Sequence, residues 1–219
     1  MESKNIVDYY AGSMPVIITA RHDGHATVIG DEILPILRDQ DINDHGTMLL
    51  GLMTRMELGK KPFLLLNKIA RNRCTPEMFG IYYERALATA RLCLEKWGKC
   101  FVFDLHRFYK YPPVGEYDIF LGTNHGQTAG GDFYKEFASL LTKEIKRKTE
   151  VKVYVPGKEP KDGERFGATR EKTLVNWLRR EEPRVEAIQV EFYKDFLSDA
   201  YFIPPLSRAL AKAISQIAK

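Results

Sequence analysis

The sequence predicts an α/β fold in which a mostly parallel sheet is flanked by helices. Three observations predict it. Six apolar runs of strand length alternate with longer stretches of helical period. The run Cys100 to Phe103 is apolar at consecutive positions, as in a strand buried on both faces. Several of these runs lead directly into reactive side chains, the place where α/β sheets bind ligands. A chain of 219 residues with 44% hydrophobic and 28% charged residues suits one domain spanning residues 1–219.

The first strand is Val16-Ile17-Ile18, and a helix is expected from Gly46 to Leu58. Phe63 to Leu66 makes the second strand. Thr75-Pro76-Glu77 then offers an N-cap, a proline at the first helical position and an acid in the first turn, and the helical pattern runs to Trp97 before Gly98 stops it. Phe101 to Phe103 and Ile119 to Leu121 are the next strands. Between them lies an irregular stretch, Phe108 to Tyr117, with Pro112, Pro113 and Gly115. Asp132 can cap a helix with Phe133, Phe137, Leu140, Leu141 and Ile145 on one face, and the basic run Lys143 to Lys148 complements its carboxyl end. Val151 to Val155 follows, then a polar loop from Pro156 to Gly167, a helix over Thr169 to Arg180, the strand Val185 to Phe192 and a helix over Leu206 to Ala218.

The 33 basic and 29 acidic residues leave a net charge of only +4, which does not call for a nucleic-acid partner. No apolar stretch approaches the roughly 18 residues of a membrane span. The start Met-Glu-Ser-Lys-Asn lacks a signal-peptide core, so the cytoplasm is the expected compartment. The three cysteines lack metal-type spacing and read as small buried hydrophobes. Cys74, after Arg71-Asn72-Arg73, is a lesser alternative as a nucleophile. Phosphate-loop, dinucleotide and nucleophile-elbow patterns are absent from the sequence.

Three of the five histidines lie at two strand ends, in Arg21-His22-Asp23-Gly24-His25 and in Asp104-Leu105-His106-Arg107. A catalytic zinc needs three protein ligands and an open position, which His22, His25 and His106 can supply. Asp23, Asp39, Asp41 and Asp44 compete for the second position, and the competing role for Asp44 is a helix cap. Glu191 lies in the apolar last strand on the face of Gln189 and Tyr193, where it needs either a salt-bridge partner or the shifted pKa of a general base. Arg71, Arg73, Arg107 and Arg170 lie near strand ends or in loops, and a guanidinium suits a substrate carboxylate or a developing oxyanion. His125 and Gln127 follow the Leu121-Gly122-Thr123 strand end and are candidate substrate contacts.

Taken in order, His22-Asp23-Gly24, Asp39 to Asp44, Asn67 to Arg73, Asp104-Leu105-His106, Leu121-Gly122-Thr123 and Gln189-Val190-Glu191 resemble the motifs of the N-formylglutamate amidohydrolase family over about residues 15 to 195. The resemblance implies a single-domain, three-layer α/β/α fold with a mixed, mainly parallel sheet, of the phosphorylase/hydrolase-like, zinc-carboxypeptidase-like type. It carries over His22 and His106 as zinc ligands, with His25 between them, and Glu191 as the base. The family usually has Pro-His-Ser/Ala-Gly where this chain has Arg21-His22-Asp23-Gly24, and Asp-x-Asn-Arg where it has Leu65-Leu66-Asn67-Lys68, so its arginine is displaced to Arg71 or Arg73.

The implied activity is zinc-dependent hydrolysis of an amide bond in an N-acyl amino acid such as N-formylglutamate. The chemistry needs Glu191 to take a proton from the attacking water, with Arg71, Arg73 or Arg170 against the oxyanion or the substrate carboxylate. A small-molecule N-acyl amino acid or peptide is the expected partner, and the same ligands accept other divalent metals. A carboxypeptidase or deacylase on the same scaffold, or a non-catalytic module for an acidic ligand, are the alternatives.

Overall fold

The computed structural model describes residues 5–29, 32–35, 43–109, 117–146, 151–154, 166–199 and 201–219. In chain order the elements are β1 (Val7–Tyr10), β2 (Val16–Ala20), β3 (Ala26–Ile29), β4 (Glu32–Pro35), α1 (Thr47–Glu57), β5 (Phe63–Asn67), a 3-10 turn (Arg71–Arg73), α2 (Pro76–Trp97), β6 (Cys100–Phe108), β7 (Ile119–Gly122), α3 (Gly131–Lys146), β8 (Val153–Tyr154), α4 (Leu174–Glu181), β9 (Val185–Tyr193), α5 (Lys194–Ser198) and α6 (Ile203–Ile217). Among the described residues one seven-stranded sheet runs in the order β1-β5-β2-β6-β9-β7-β8, and β3 and β4 form a separate hairpin.

The four central strands, β5, β2, β6 and β9, are parallel, while β1 and β7 join antiparallel to their inner neighbours. Every residue of β2 and β5 is buried, which is why their sequences are apolar at almost every position. On one face Ile18, Leu64, Phe103, Leu105, Ile188 and Phe192 pack against α1, α3 and α6. On the other, Ile17, Leu65, Val102 and Ala187 meet Tyr82, Ala86 and Ala90 of α2 and Leu174, Val175 and Leu178 of α4. Each such fully buried aliphatic side chain contributes about 1.5–3 kcal/mol relative to exposure. The result is the mixed, mainly parallel three-layer arrangement expected.

The expected limits of α2 hold: Thr75 Oγ1 accepts from Met78 N at 3.3 Å, and Gly98, at φ 70°, donates to Leu94 O at 2.9 Å. Others shift. The helix expected to start at a cap on Asp132 begins at Gly131, so Asp132 lies within its first turn. The helix expected from Thr169 begins at Leu174, with Thr173 as its cap, and the last helix starts at Ile203 with proline in its first turn. β1, the β3–β4 hairpin and α5 were not anticipated. They are only 4 or 5 residues each, and the exposed ends of β1 and β4 leave little apolar signal. Most of both predicted irregular stretches, residues 110–116 and 155–165, lies outside the described residues, as do Asp39, Asp41, Val155 and the end of the basic run. Among the described residues no helix is long and apolar enough to cross a membrane.

Candidate metal centre and cleft

Strand register assembles the site at the carboxyl ends of the central strands. β2 delivers Arg21 and His22 just past Ala20, and β6 delivers Asp104 and His106 on the α2 side of the sheet. Thr19 lies opposite Asp104, and His106 lies opposite Glu191 of β9. Thr19 Oγ1 donates to Asp104 Oδ1 at 2.7 Å, and the other oxygen of Asp104 is 2.8 Å from His106 Nε2. With that nitrogen engaged, His106 Nδ1 faces Asp44 Oδ2 at 2.9 Å.

Asp44 arrives from the segment before α1. Its N–H donates to His22 O at 2.9 Å, and its carbonyl accepts from Thr47 Oγ1 at 2.8 Å. Only the backbone of Asp44 meets the helix start, which frees its carboxylate for the histidines. Asn43 fixes the approach, donating to Gly24 O at 3.2 Å and accepting from Arg71 N at 2.9 Å.

The donor set fits a divalent transition metal. His22, Asp44 and His106 are buried, and their ligand atoms lie within 4.8 Å of one another. His22 Nδ1 is buried without a well-formed hydrogen bond and stands 3.4 Å from Asp44 Oδ2. Two ligands about 2.1 Å from a tetrahedral ion are about 3.4 Å apart, so this separation is that of a coordination edge. Two imidazoles and a carboxylate suit zinc and its neighbours in the first transition row.

Burial, reinforced by the charge of Arg21, pushes His22 down to about 3, so its ring is neutral at pH 7. Burial opposes charge on His106 as well, but Asp104 and Asp44 outweigh it and lift the ring to about 10. Asp44 is held well below the carboxylate range, burial being overcome by its two histidines. Burial pushes Glu191 up to about 8, with His106 pulling the other way and Asp44 and Asp104 adding to the rise. Gln189 Nε2 donates to Glu191 Oε1 at 2.8 Å and orients the carboxyl.

A cleft of about 590 Å³ opens over this centre, lined among others by Arg71, Arg107, Arg170, Lys172, Phe79 and Glu191. Arg71 stands 3.9 Å from Asp44 Oδ1. Arg107 donates to Asn43 O at 2.9 Å and to the Tyr109 hydroxyl at 3.1 Å.

The structure thus brings together His22, His106, Glu191, Arg71, Arg107 and Arg170. His25 lies apart from His22 and His106, grouped with Asp23 and His45, and Asp44 takes the place beside the other two histidines. Arg73 is exposed in the 3-10 turn and does not line the cleft. His125 and Gln127 do not line it either. Because β7 is antiparallel to β9, the turn after it runs alongside the amino-terminal half of β9, where Thr128 exchanges hydrogen bonds with Ala187. The expectation for these two applied the strand-end rule to a strand that points the other way. Cys74 is half-buried, and burial holds its thiol above the ordinary value. Sequence reading gave no role to Asp104, Gln189 or Lys172. Asp104 was legible as the partner of His106 two residues away on the same strand face, whereas Lys172 carried no signal.

The sequence matches no protein-family model and no curated protein. Solved structures do match. An N-formylglutamate amidohydrolase from Ralstonia eutropha JMP134 aligns with a TM-score of 0.64 at 12% identity, over 97% of this chain and 96% of the other. A gene product of Agrobacterium tumefaciens aligns with a TM-score of 0.61 at 12% identity, over the same shares of the two chains. A bacteriophage poly-gamma-glutamate hydrolase aligns with a TM-score of 0.50 at 14% identity, over 96% and 88%. The chain therefore has the fold that the N-formylglutamate amidohydrolase structure displays, over nearly the full length of both proteins.

Proposed function

We propose that this protein is a zinc-dependent amidohydrolase that cleaves the amide bond of an N-acyl amino acid such as N-formylglutamate. The observation that carries this reading is the buried His22–Asp44–His106 group lying beside Glu191 under a cleft rich in arginine. The fold shared with an N-formylglutamate amidohydrolase supports it. A divalent ion at this group supplies Lewis acidity toward the scissile carbonyl and lowers the pKa of the attacking water.

The residues divide the remaining work. His22, Asp44 and His106 are the ligands, and Asp104, by engaging His106 Nε2, orients the ring with Nδ1 toward Asp44. Glu191, opposite His106 and oriented by Gln189, takes the proton of the attacking water and delivers it to the departing amine nitrogen. Arg71, beside Asp44, and Arg170 and Lys172 across the cleft offer cations to the carboxylates of the substrate. A cleft of about 590 Å³ also admits a longer acyl chain or a short peptide, which keeps a deacylase or carboxypeptidase as the second reading.

Metal analysis by plasma mass spectrometry, paired with a hydrolysis screen of N-formyl and N-acyl amino acids, tests the reading. His22→Ala and His106→Ala are expected to lose the zinc at this centre together with activity. Glu191→Gln is expected to keep that zinc while kcat falls by about 10²–10⁴-fold. Wild-type protein that takes up no metal on reconstitution, or a Glu191→Gln variant with full activity, would overturn it.

A further inference from the structure

The residues that follow the metal centre in sequence form a second group for which the hydrolytic reading has no use. His22 is followed by Asp23 and Asp44 by His45, and the hydrogen bond from Asp44 N to His22 O, 2.9 Å long, lays the two dipeptides side by side. Their side chains divide between two sites. His22 and Asp44 meet His106, whereas Asp23 and His45 meet His25.

The second group has the dimensions of a coordination site. Asp23 Oδ1 stands 3.3 Å from His25 Nε2 and 3.5 Å from His45 Nδ1, and the donor atoms all lie within 4.8 Å of one another. Both carboxylate distances are near the roughly 3.4 Å edge of a tetrahedron of nitrogen and oxygen ligands about 2.1 Å from an ion. The rings of His25 and His45 stack with centroids 5.3 Å apart and planes 14° apart.

An independent observation points to a ligand. Asp23 is 2% exposed, and its Oδ2 accepts from Met48 N at 2.9 Å, but its Oδ1 is buried without a hydrogen bond. Burying a polar oxygen without a hydrogen-bond partner is costly. A cation between the three side chains removes that cost.

We propose that Asp23, His25 and His45 form a second divalent-cation site, separate from the centre under the cleft. One carboxylate and two imidazoles suit zinc, cobalt or nickel. The side chain of His25 is 34% exposed, so an ion has a path from solvent. Because Asp23 and His45 adjoin His22 and Asp44, an ion here clamps from behind the same backbone pair that presents two ligands to the first centre. The proposal stands whether or not that first centre hydrolyses anything.

The test counts ions. The full-length protein is stripped with a chelator, reloaded with Zn²⁺ or Co²⁺ and weighed by native mass spectrometry, with plasma mass spectrometry as a second count. Wild type is expected to hold two ions, His25→Ala one, His22→Ala one, and the double variant none. Far-UV circular dichroism checks folding, and His25→Gln, nearer in volume, replaces His25→Ala if that variant misfolds. A wild type that holds one ion, lost in His22→Ala and kept in His25→Ala, overturns the second site. So do two ions that both survive the loss of His25. One ion lost in His25→Ala but kept in His22→Ala supports the second site while overturning the metal assignment of the first.

Discussion

Glu191 is a carboxyl group placed where its charge is poorly solvated, and this makes stability depend on pH. Burial raises its pKa from 4.5 to about 8 in the folded protein. Between those values the unfolded chain has released a proton that the folded chain retains, so raising the pH through this window lowers stability. Glutamine does not titrate. In metal-stripped protein, Glu191→Gln should therefore melt above wild type by a margin that grows from about pH 5 to about pH 8, reaching about 4 °C or more for a protein of this size. Thermal melts across that range check it, and a margin independent of pH would show that the wild-type carboxyl is not kept protonated by its surroundings. At this scale the sequence was informative where chemistry and strand position coincide. His22, His106 and Glu191 were named because they stand at strand ends or within an apolar strand. Asp44 was named as an alternative second ligand, but the choice of Asp44 over His25 was not legible, because it depends on the backbone bond between Asp44 and His22, made by residues far apart in sequence.

At the scale of elements, the turn after β2 depends on a close approach of two backbones. A Cβ on Gly24 would lie 2.3 Å from Ile69 O and 2.6 Å from Lys68 C, both backbone atoms that cannot rotate aside. Gly24→Ala should cost about 1–3 kcal/mol, since relief requires the chain after β5 to move. Because Gly24 sits between Asp23 and His25, the same substitution should lower metal content. Denaturant melts and plasma mass spectrometry read the two effects, and unchanged values in both would show that the turn relaxes without cost. This approach was not legible in the sequence, because the partner of Gly24 across the turn belongs to another strand connection. The same limit explains His125 and Gln127. Apolar runs identify β7 as a strand, yet its direction is set by pairing with β9 and leaves no trace in its four residues.

At the scale of the molecule, two apolar clusters press on opposite faces of one sheet, and the same strands contribute to both: Ile17 and Ile18 of β2, Leu64 and Leu65 of β5, Val102 and Phe103 of β6. Neither cluster can lose its strands without exposing the other. The expectation of a single domain then takes a measurable form, one cooperative transition in which far-UV and near-UV circular dichroism coincide. Two separated transitions would show that the helical layers unfold independently. The layered α/β class was readable because burial on both faces leaves β2 and β5 apolar at almost every position. The turn after β7 has a use of its own. Asn124, His125 and Gly126 take φ values of 46°, 56° and 85°, and His125 is exposed beside the amino-terminal half of β9, off the cleft lining. A single chemical anchor at position 125 would tether the protein to a bead or an electrode with its cleft left to the solution.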